Sequence, residues 1–390
     1  MNLIKTKLHS NENYCDICHH KLFNHYVPLK TKRNIKTFLC KNCLLIQSIP
    51  QKKFQSHPKP SMSIDADRSS IMYTKTRFLP RNIVLFKKFK INFKKFDHIL
   101  DIGSNRGSFV DYLKTKNKKV KITAIESKKN IFNHKKSKNM KFINDRFEDS
   151  KILSNTYDFV YCVHTLEHFV SCFKSLSKIY NSLKINGTAF IVVPNMNYYT
   201  KDSIVEYFID THTFHFTNNV LVSLFNKIGF KILKKDEKSD ITYYLQKSEN
   251  KNHYKKNNLF LNKSLSFFDE KDALIKYKKN LKKKRDRLKN FGKKLKEEGN
   301  NFLFWGAGRI FDGLFKYGNI KFSLNYKLYD KHLNKYFKKF YNLKLLKKDE
   351  LKKLKNYKVV ICSNSEYSQI ADEAKSFNFK KVMSYERFLK

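Results

Sequence analysis

The sequence has no apolar run approaching the length of a membrane span, and its opening, MNLIKTKLHSNENYC, lacks the apolar stretch of a signal peptide. Both absences argue for a cytoplasmic protein with no membrane partner. Acidic residues are few: 34 Asp and Glu stand against 81 Lys and Arg, a net charge of +47. Such an excess ordinarily suggests a polyanionic partner. The lysines are, however, spread through every segment and mixed with Asn, Ile, Phe and Tyr, as a coding bias toward A and T would leave them. They read as a solvated coat, which disfavours nucleic acid as partner but still attracts a phosphorylated or nucleotide-linked substrate. Glycine is scarce, ten in 390 residues, and there are seven cysteines. The hydrophobic share of 41% and the aromatic share of 15% are nonetheless those of a globular chain, long enough for two or three domains with cores of their own.

Four of the cysteines form two C-x-x-C pairs, Cys15 with Cys18 and Cys40 with Cys43. Two such pairs place four thiolates on two knuckles that can close around one tetrahedral zinc. Disulfides are disfavoured in a cytoplasmic chain of this size. The pairs leave no position for a catalytic water, so the expected zinc is structural and couples metal binding to folding. His19 and His20 stand beside one pair and read as bystanders, because four cysteines already fill the shell. A zinc ribbon also occurs in nucleic-acid binders, which keeps that class open.

The stretch HILDIGSNRGSF, residues 98–109, reads as a short buried strand running into a glycine loop that opens a helix. Gly103 and Gly107 let backbone approach a ligand closely, and the helix amides point at it. The spacing is D-x-G-x-x-x-G rather than the dinucleotide fingerprint. From Phe96 to Ser248 strand-like and helical runs alternate, the mark of a doubly wound α/β sheet. The strands read HILDIG, VKITAIE, MKFIND, YDFVYCVH, TAFIVVPN, FKILKKDE and ITYYLQK, and an Asn186-Gly187 turn follows the helix SCFKSLSKIYNSLK. Ligands of such sheets sit at the carboxyl ends of the central strands, where Asp101, Glu126 and Asp145 end three strands in succession.

On these residues the chain resembles the class I S-adenosylmethionine-dependent methyltransferases. IGSNRGSF is similar to the I-G-S-N-D-G-S-F of a subgroup that includes the sugar C-methyltransferases, with Arg106 in place of the subgroup's Asp. LCKNCLLIQS is similar to the second zinc knuckle with which many of that subgroup begin, although the loop between the pairs is shorter here. The resemblance implies S-adenosylmethionine as cofactor, held by Asp101, Gly103, Asn105, Gly107, Glu126 on the ribose and Asp145 near the adenine. It implies a seven-stranded class I sheet, preceded by a zinc module and followed by a Rossmann-like domain. Arg106 puts a cation where an acid is expected, with no account from the sequence.

The fourth strand runs into CVHTLEHF, similar to the family's motif at that place. His164 is assigned with the cofactor contacts and His168 with the substrate side. Their spacing of four also suits a metal, but methyl transfer from a sulfonium needs none, and none is expected there. An aromatic-rich insertion follows the fifth strand. Within it THTFHFT is similar to the subgroup's E-H-L-S-Y-F-T, which puts His212 on the family histidine, His215 on its tyrosine and Thr211 on its glutamate. Thr211 cannot charge-couple the histidine as a carboxylate would. The same stretch also reads as a cap, with Thr217 opening the next helix. His212, His168 and His215 are the candidate catalytic residues, His212 first as base. Tyr73 stands where the subgroup contributes a tyrosine.

The boundaries expected are a zinc module over 1–60, a linker and entry helix over 61–95, the cofactor domain over 96–248, a linker and long helix over 249–300, and a Rossmann-like domain over 301–390. In the last, FLFWGAGRIFDGLF repeats the strand, glycine loop and helix, but Phe311 stands where a third glycine would, so bound NAD is not expected. Gly306 and Gly308 are candidates to meet a substrate phosphate. The function expected is methylation of a nucleotide-linked deoxysugar, at carbon next to a ketone, in surface glycan or natural-product biosynthesis. An O- or N-methyltransferase of the same build is the alternative, and a nucleic-acid-binding zinc-ribbon protein the second.

Overall fold

The computed structural model describes residues 13–28, 34–50, 78–128, 138–198, 204–249, 253–261, 266–321, 323–331, 333–335, 338–364 and 366–390. Tyr73 lies outside them. The chain divides into two compact units: the first takes residues 1–61, 73–201 and 207–275, the second 62–72, 202–206 and 276–390. No helix among the described residues is long and apolar enough to cross a membrane.

The first unit opens with three short strands, β1 (Phe23–Tyr26), β2 (Lys36–Leu39) and β3 (Ile46–Ile49). Helix α1 (Phe78–Lys88) leads into β4 (His98–Ile102), then α2 (Ser108–Lys116), β5 (Lys121–Ile125), β6 (Met140–Ile143), β7 (Tyr157–Val163), α3 (Cys172–Ser182), β8 (Leu183–Pro194), β9 (Phe214–His215), α4 (Asn218–Ile228), β10 (Phe230–Glu237) and β11 (Asp240–Lys247). Seven of these strands form one sheet in the order β10-β11-β8-β7-β4-β5-β6. The pairs from β8 to β6 are parallel, and β11 is antiparallel to both β8 and β10. This is the expected α/β class I methyltransferase sheet, with its hairpin ending. The central strands β4 and β7 are buried on both faces, which is why they read as nearly continuous apolar runs. Aromatic side chains fill one side, where Phe86 of α1 meets Phe93, Phe109 and Phe190.

Two local expectations change. Asn186 and Gly187 do not separate helix from strand; they lie inside β8, where the register against β7 slips between Tyr157 and Phe159, and Asn186 takes a left-handed φ of 62°. The extra residues are absorbed as a bulge. Thr217 does precede α4, but its hydroxyl makes no capping bond; that helix is closed instead by Gly229 at φ 102°.

The amino-terminal strands make a second sheet, β1-β2-β3-β9. Its last member comes from the insertion after β8: Ile46 pairs with His215 and Gln47 with Phe214. The cysteine module therefore shares a unit, and a sheet, with the segment that carries the candidate histidines. Asp16 adds a further tie by accepting the Phe173 amide at the start of α3, at 2.9 Å.

Past a short helix α5 (Tyr254–Asn258), helix α6 (Phe267–Leu288) starts earlier than its apolar stripe suggested, and the helix breaks before α7 (Phe291–Glu297). The break has a packing cause: a Cβ on Gly292 would stand 2.3 Å from the Asn319 carbonyl oxygen, and the Gly292 amide bonds to Gly318 O at 2.8 Å. The second unit continues with β12 (Phe302–Trp305), α8 (Arg309–Tyr317), β13 (Tyr326–Tyr329), the small hairpin β14 (Lys339–Phe340) and β15 (Leu343–Lys344), β16 (Lys358–Ile361), α9 (Tyr367–Lys375) and β17 (Lys381–Ser384). Its sheet, β13-β12-β16-β17, is parallel throughout, in keeping with the Rossmann-like expectation.

Candidate functional site

The loop after β4 is built from backbone. Gly103 has φ 72° and Gly107 φ 76°, values that L side chains rarely adopt, and Asn105 between them is left-handed at 49°. The amides of Gly103 and Ser104 both bond to Ile125 O at 2.9 Å, tying the loop to the neighbouring strand. Glu126, directly after β5, accepts the Asn105 amide at 2.9 Å with one oxygen and the Lys128 amide at 2.8 Å with the other. A carboxylate has further lone pairs, so these bonds orient Glu126 without exhausting it. Asp145, past the end of β6, is exposed and accepts its neighbour's amide, Arg146 N, at 2.7 Å. Arg146 in turn pairs with Glu148.

Asp101 is the unusual member of the group. It is 1% exposed, and neither carboxyl oxygen has a hydrogen-bond partner among the described residues. Burial, with Glu126 adding repulsion, pushes its carboxyl well above the ordinary range. A buried acid with two unused oxygens at the root of a glycine loop suits a polar cofactor arriving at the strand ends.

A chain of alternating charges runs behind the histidine motif. Arg81 of α1 meets Asp240 at 2.5 Å; Asp240 lies 3.6 Å from His164 Nε2; His164 Nδ1 lies 3.6 Å from Glu167 Oε1; and that oxygen lies 3.8 Å from His168 Nε2. His164 was expected among the cofactor contacts. Its ring is partly buried, and both ring nitrogens face carboxylates. Burial pushes the His164 imidazole down, but Asp240 and Glu167 more than reverse this and hold it up at about 9. The stabilisation from a raised histidine is complete below the unfolded value of 6.5 and is lost as pH rises through about 9. About 3 kcal/mol is at stake. Urea unfolding at pH 6 and pH 10 is expected to show the parent losing this stability and a His164→Gln variant losing clearly less; equal losses would dismiss the assignment.

His168 and His212 are brought together, ring centroids 4.8 Å apart and steeply tilted. His168 Nδ1 bonds to the Thr211 carbonyl at 2.7 Å, and because a carbonyl only accepts, that nitrogen carries the hydrogen. Thr211 thus orients the pair through its backbone, though its side chain lacks the expected carboxylate. Glu167 supplies one: ligand atoms of Glu167, His168 and His212 all lie within 4.8 Å of one another. The Thr213 amide bonds to Glu167 O at 2.8 Å, which fixes the insertion against the end of β7.

His215 is not part of this group. It is 0% exposed, its Nε2 shares a 2.8 Å hydrogen bond with Ser48 Oγ, and burial pushes it down to about 3. This catalytic candidate thus holds the insertion to the amino-terminal sheet through the β3–β9 pair.

The four cysteines converge. Cys15 Sγ lies 3.3 Å from Cys43 Sγ, and Cys18 Sγ lies 3.4 Å from Cys40 Sγ and 3.6 Å from Cys43 Sγ. Those separations are far beyond a disulfide bond and close to the roughly 3.8 Å expected between thiolates around a tetrahedral zinc. Both knuckles turn alike: the residue after the second cysteine, His19 or Leu44, is left-handed at 58° or 62°, and the Cys43 amide points at Cys40 Sγ at 3.5 Å. His19 and His20 are both exposed, as bystanders should be.

Residues 73–235 match the family described as a methyltransferase domain. Among solved structures the chain is similar to an S-adenosylmethionine-dependent methyltransferase from Aquifex aeolicus, at 16% identity over 48% of this chain and 98% of that one, with a TM-score of 0.37. It is also similar to one from Mesorhizobium loti, at 9% identity over 42% and 96%, TM-score 0.37. A third is the Burkholderia thailandensis 1,6-didemethyltoxoflavin-N1-methyltransferase, at 13% identity over 57% and 100%, TM-score 0.36. No curated protein matches the sequence.

Proposed function

We propose that the chain, whose residues 73–235 match a methyltransferase domain, is an S-adenosylmethionine-dependent methyltransferase that methylates a nucleotide-linked deoxysugar in the cytoplasm, at carbon next to a ketone, for surface glycan or natural-product biosynthesis. Asp101, the loop from Gly103 to Gly107, Glu126 and Asp145 hold the cofactor, and a structural zinc occupies Cys15, Cys18, Cys40 and Cys43. The sulfonium methyl is already an activated electrophile, so what remains is to align it with a nucleophile and to activate that nucleophile. A carbon next to a ketone is activated by removing its proton and stabilising the enolate.

One observation carries this reading: the convergence of His168 and His212 with the buried carboxylate of Glu167. His212 is the base. His168, steadied by the bond of its Nδ1 to the Thr211 carbonyl, stands on the substrate side. Glu167 does for the pair what the subgroup's glutamate, replaced here by Thr211, would otherwise do. The lysine coat draws in the diphosphate of a nucleotide sugar.

The test is exchange without transfer. Keto-sugar nucleotides incubated with the protein in deuterated water, without cofactor, are expected to take up deuterium next to the ketone, and His212→Ala is expected to slow this by about 100-fold or more. Exchange at the parent rate in that variant would remove His212 as base. Methyl transfer to oxygen or nitrogen with no exchange would replace the carbon acceptor by a heteroatom, which the same histidines would deprotonate.

A further inference from the structure

The segment after β6 is held by a lysine that no step of the proposed reaction uses. Asn144 Nδ2 donates to Glu126 O at 2.8 Å, which sets the start of the segment beside the end of β5. Asp145 follows, and the turn beyond it is closed by the Asp149 and Ser150 amides, which donate to Arg146 O at 3.1 and 3.0 Å. Lys178, on α3, reaches across to this turn. Its Nζ donates to the carbonyls of Phe147, Glu148 and Ser150 at 2.5, 3.2 and 2.6 Å, and stands 4.8 Å from the centre of the Phe147 ring. An ammonium group has three hydrogens, so three carbonyls use all of them. Burial lowers Lys178 below the ordinary lysine range while the Asp149, Glu148 and Asp145 carboxylates pull it back up, so its charge also faces the acids of the same segment.

In a trans peptide the carbonyl and the next residue's N–H point opposite ways. Drawing Phe147 O to Lys178 therefore turns the Glu148 amide away from that lysine, and the bond to Ser150 O does the same for the Lys151 amide. We propose that Lys178 is a positioning residue that sets the base specificity of the cofactor site, by fixing the backbone beside Asp145 in the arrangement that reads the adenine edge. The proposal rests on the reading of Asp145 as the adenine contact. Adenine presents an amine that donates and a ring nitrogen that accepts, and a carboxylate beside an outward amide matches that pair. Hypoxanthine, with a carbonyl in place of the amine and an N–H in place of the ring nitrogen, reverses both. A rigid site built for one edge rejects the other, because its polar groups are then left unpaired.

Calorimetric titration of the zinc-loaded full chain with S-adenosylhomocysteine and with its hypoxanthine analogue, S-inosylhomocysteine, tests this. The parent is expected to bind the adenine compound at least about tenfold more tightly. Lys178→Met keeps the apolar stem but loses the donors, and is expected to bring the two affinities within about threefold of each other. Lys178→Arg keeps the charge, but its planar fork cannot replace a compact ammonium among three carbonyls; its ratio is expected to fall between the other two, which tests the proposal even if Lys178→Met does not fold. Circular dichroism checks both variants. The parent ratio in either folded variant would overturn the proposal, including the case where both compounds weaken equally, as they would if Lys178 served stability alone. A parent that binds neither compound, or both equally, would instead overturn the reading of Asp145, and the proposal with it.

Discussion

Replacing Gly103 by alanine is expected to cost the protein its affinity for S-adenosylmethionine, by about 100-fold or more, along with part of its stability. A Cβ at that position would stand 2.2 Å from Thr165 Oγ1 and 3.0 Å from its Cγ2. The backbone there is at φ 72°, which costs an alanine about 1–2 kcal/mol before any clash. Neither partner yields easily. Thr165 is held by its hydroxyl to Val163 O at 3.0 Å, and Gly103 by its amide to Ile125 O. The same shift would drag Asn105 off Glu126 and leave the loop without its anchor on the neighbouring strand. Calorimetric titration of Gly103→Ala with the cofactor checks this. A double variant with Thr165→Gly relieves the clash but keeps the left-handed strain, and is expected to recover only part of the affinity. Unchanged binding in the single variant would show that the loop does not meet the cofactor.

Removing the metal from the cysteine site is expected to have the larger effect on folding. Structural zinc in small knuckle modules is worth about 10–16 kcal/mol at neutral pH, as much as the whole stability of a typical domain. The module cannot be lost quietly here, because β3 pairs with β9 and the Ser48 amide bonds to Thr213 O at 2.8 Å, next to His212. A Cys40→Ser variant is therefore expected to lose its stoichiometric zinc, expose residues 13–50 to limited proteolysis, and lose methyl transfer through a misplaced His212. Such a variant that still melted with the parent and resisted proteolysis would count against a structural metal.

Much of this was legible in the residue order, and the reasons differ from part to part. The cysteine pairs and the glycine loop announce themselves because their function lies in local spacing: a knuckle turn and a left-handed glycine need only a few neighbouring residues. The seven strands could be read because those of the sheet centre are apolar on both faces. What could not be read depends on partners distant in sequence. His215 looked available because nothing near it shows that β9 joins β3, 167 residues earlier, where Ser48 takes its ring. Nothing near His164 in sequence shows that Asp240 of β11, itself paired with Arg81 of α1, stands beside it. Glu167 was visible as a letter in the histidine motif, but its pairing with His212 required the insertion to fold back, through the bond from the Thr213 amide to Glu167 O. Arg106 remains without a structural account.

The claim that everything else depends on is that the loop from Gly103 to Gly107, with Asp101 and Glu126, is where S-adenosylmethionine binds. Isothermal titration of the zinc-loaded full chain with S-adenosylmethionine measures this directly. Saturable binding of one cofactor per chain is expected, weakened at least about tenfold by Glu126→Ala, which removes both the ribose acceptor and the anchor of the loop. No binding at millimolar cofactor, or equal binding in parent and variant, would contradict it.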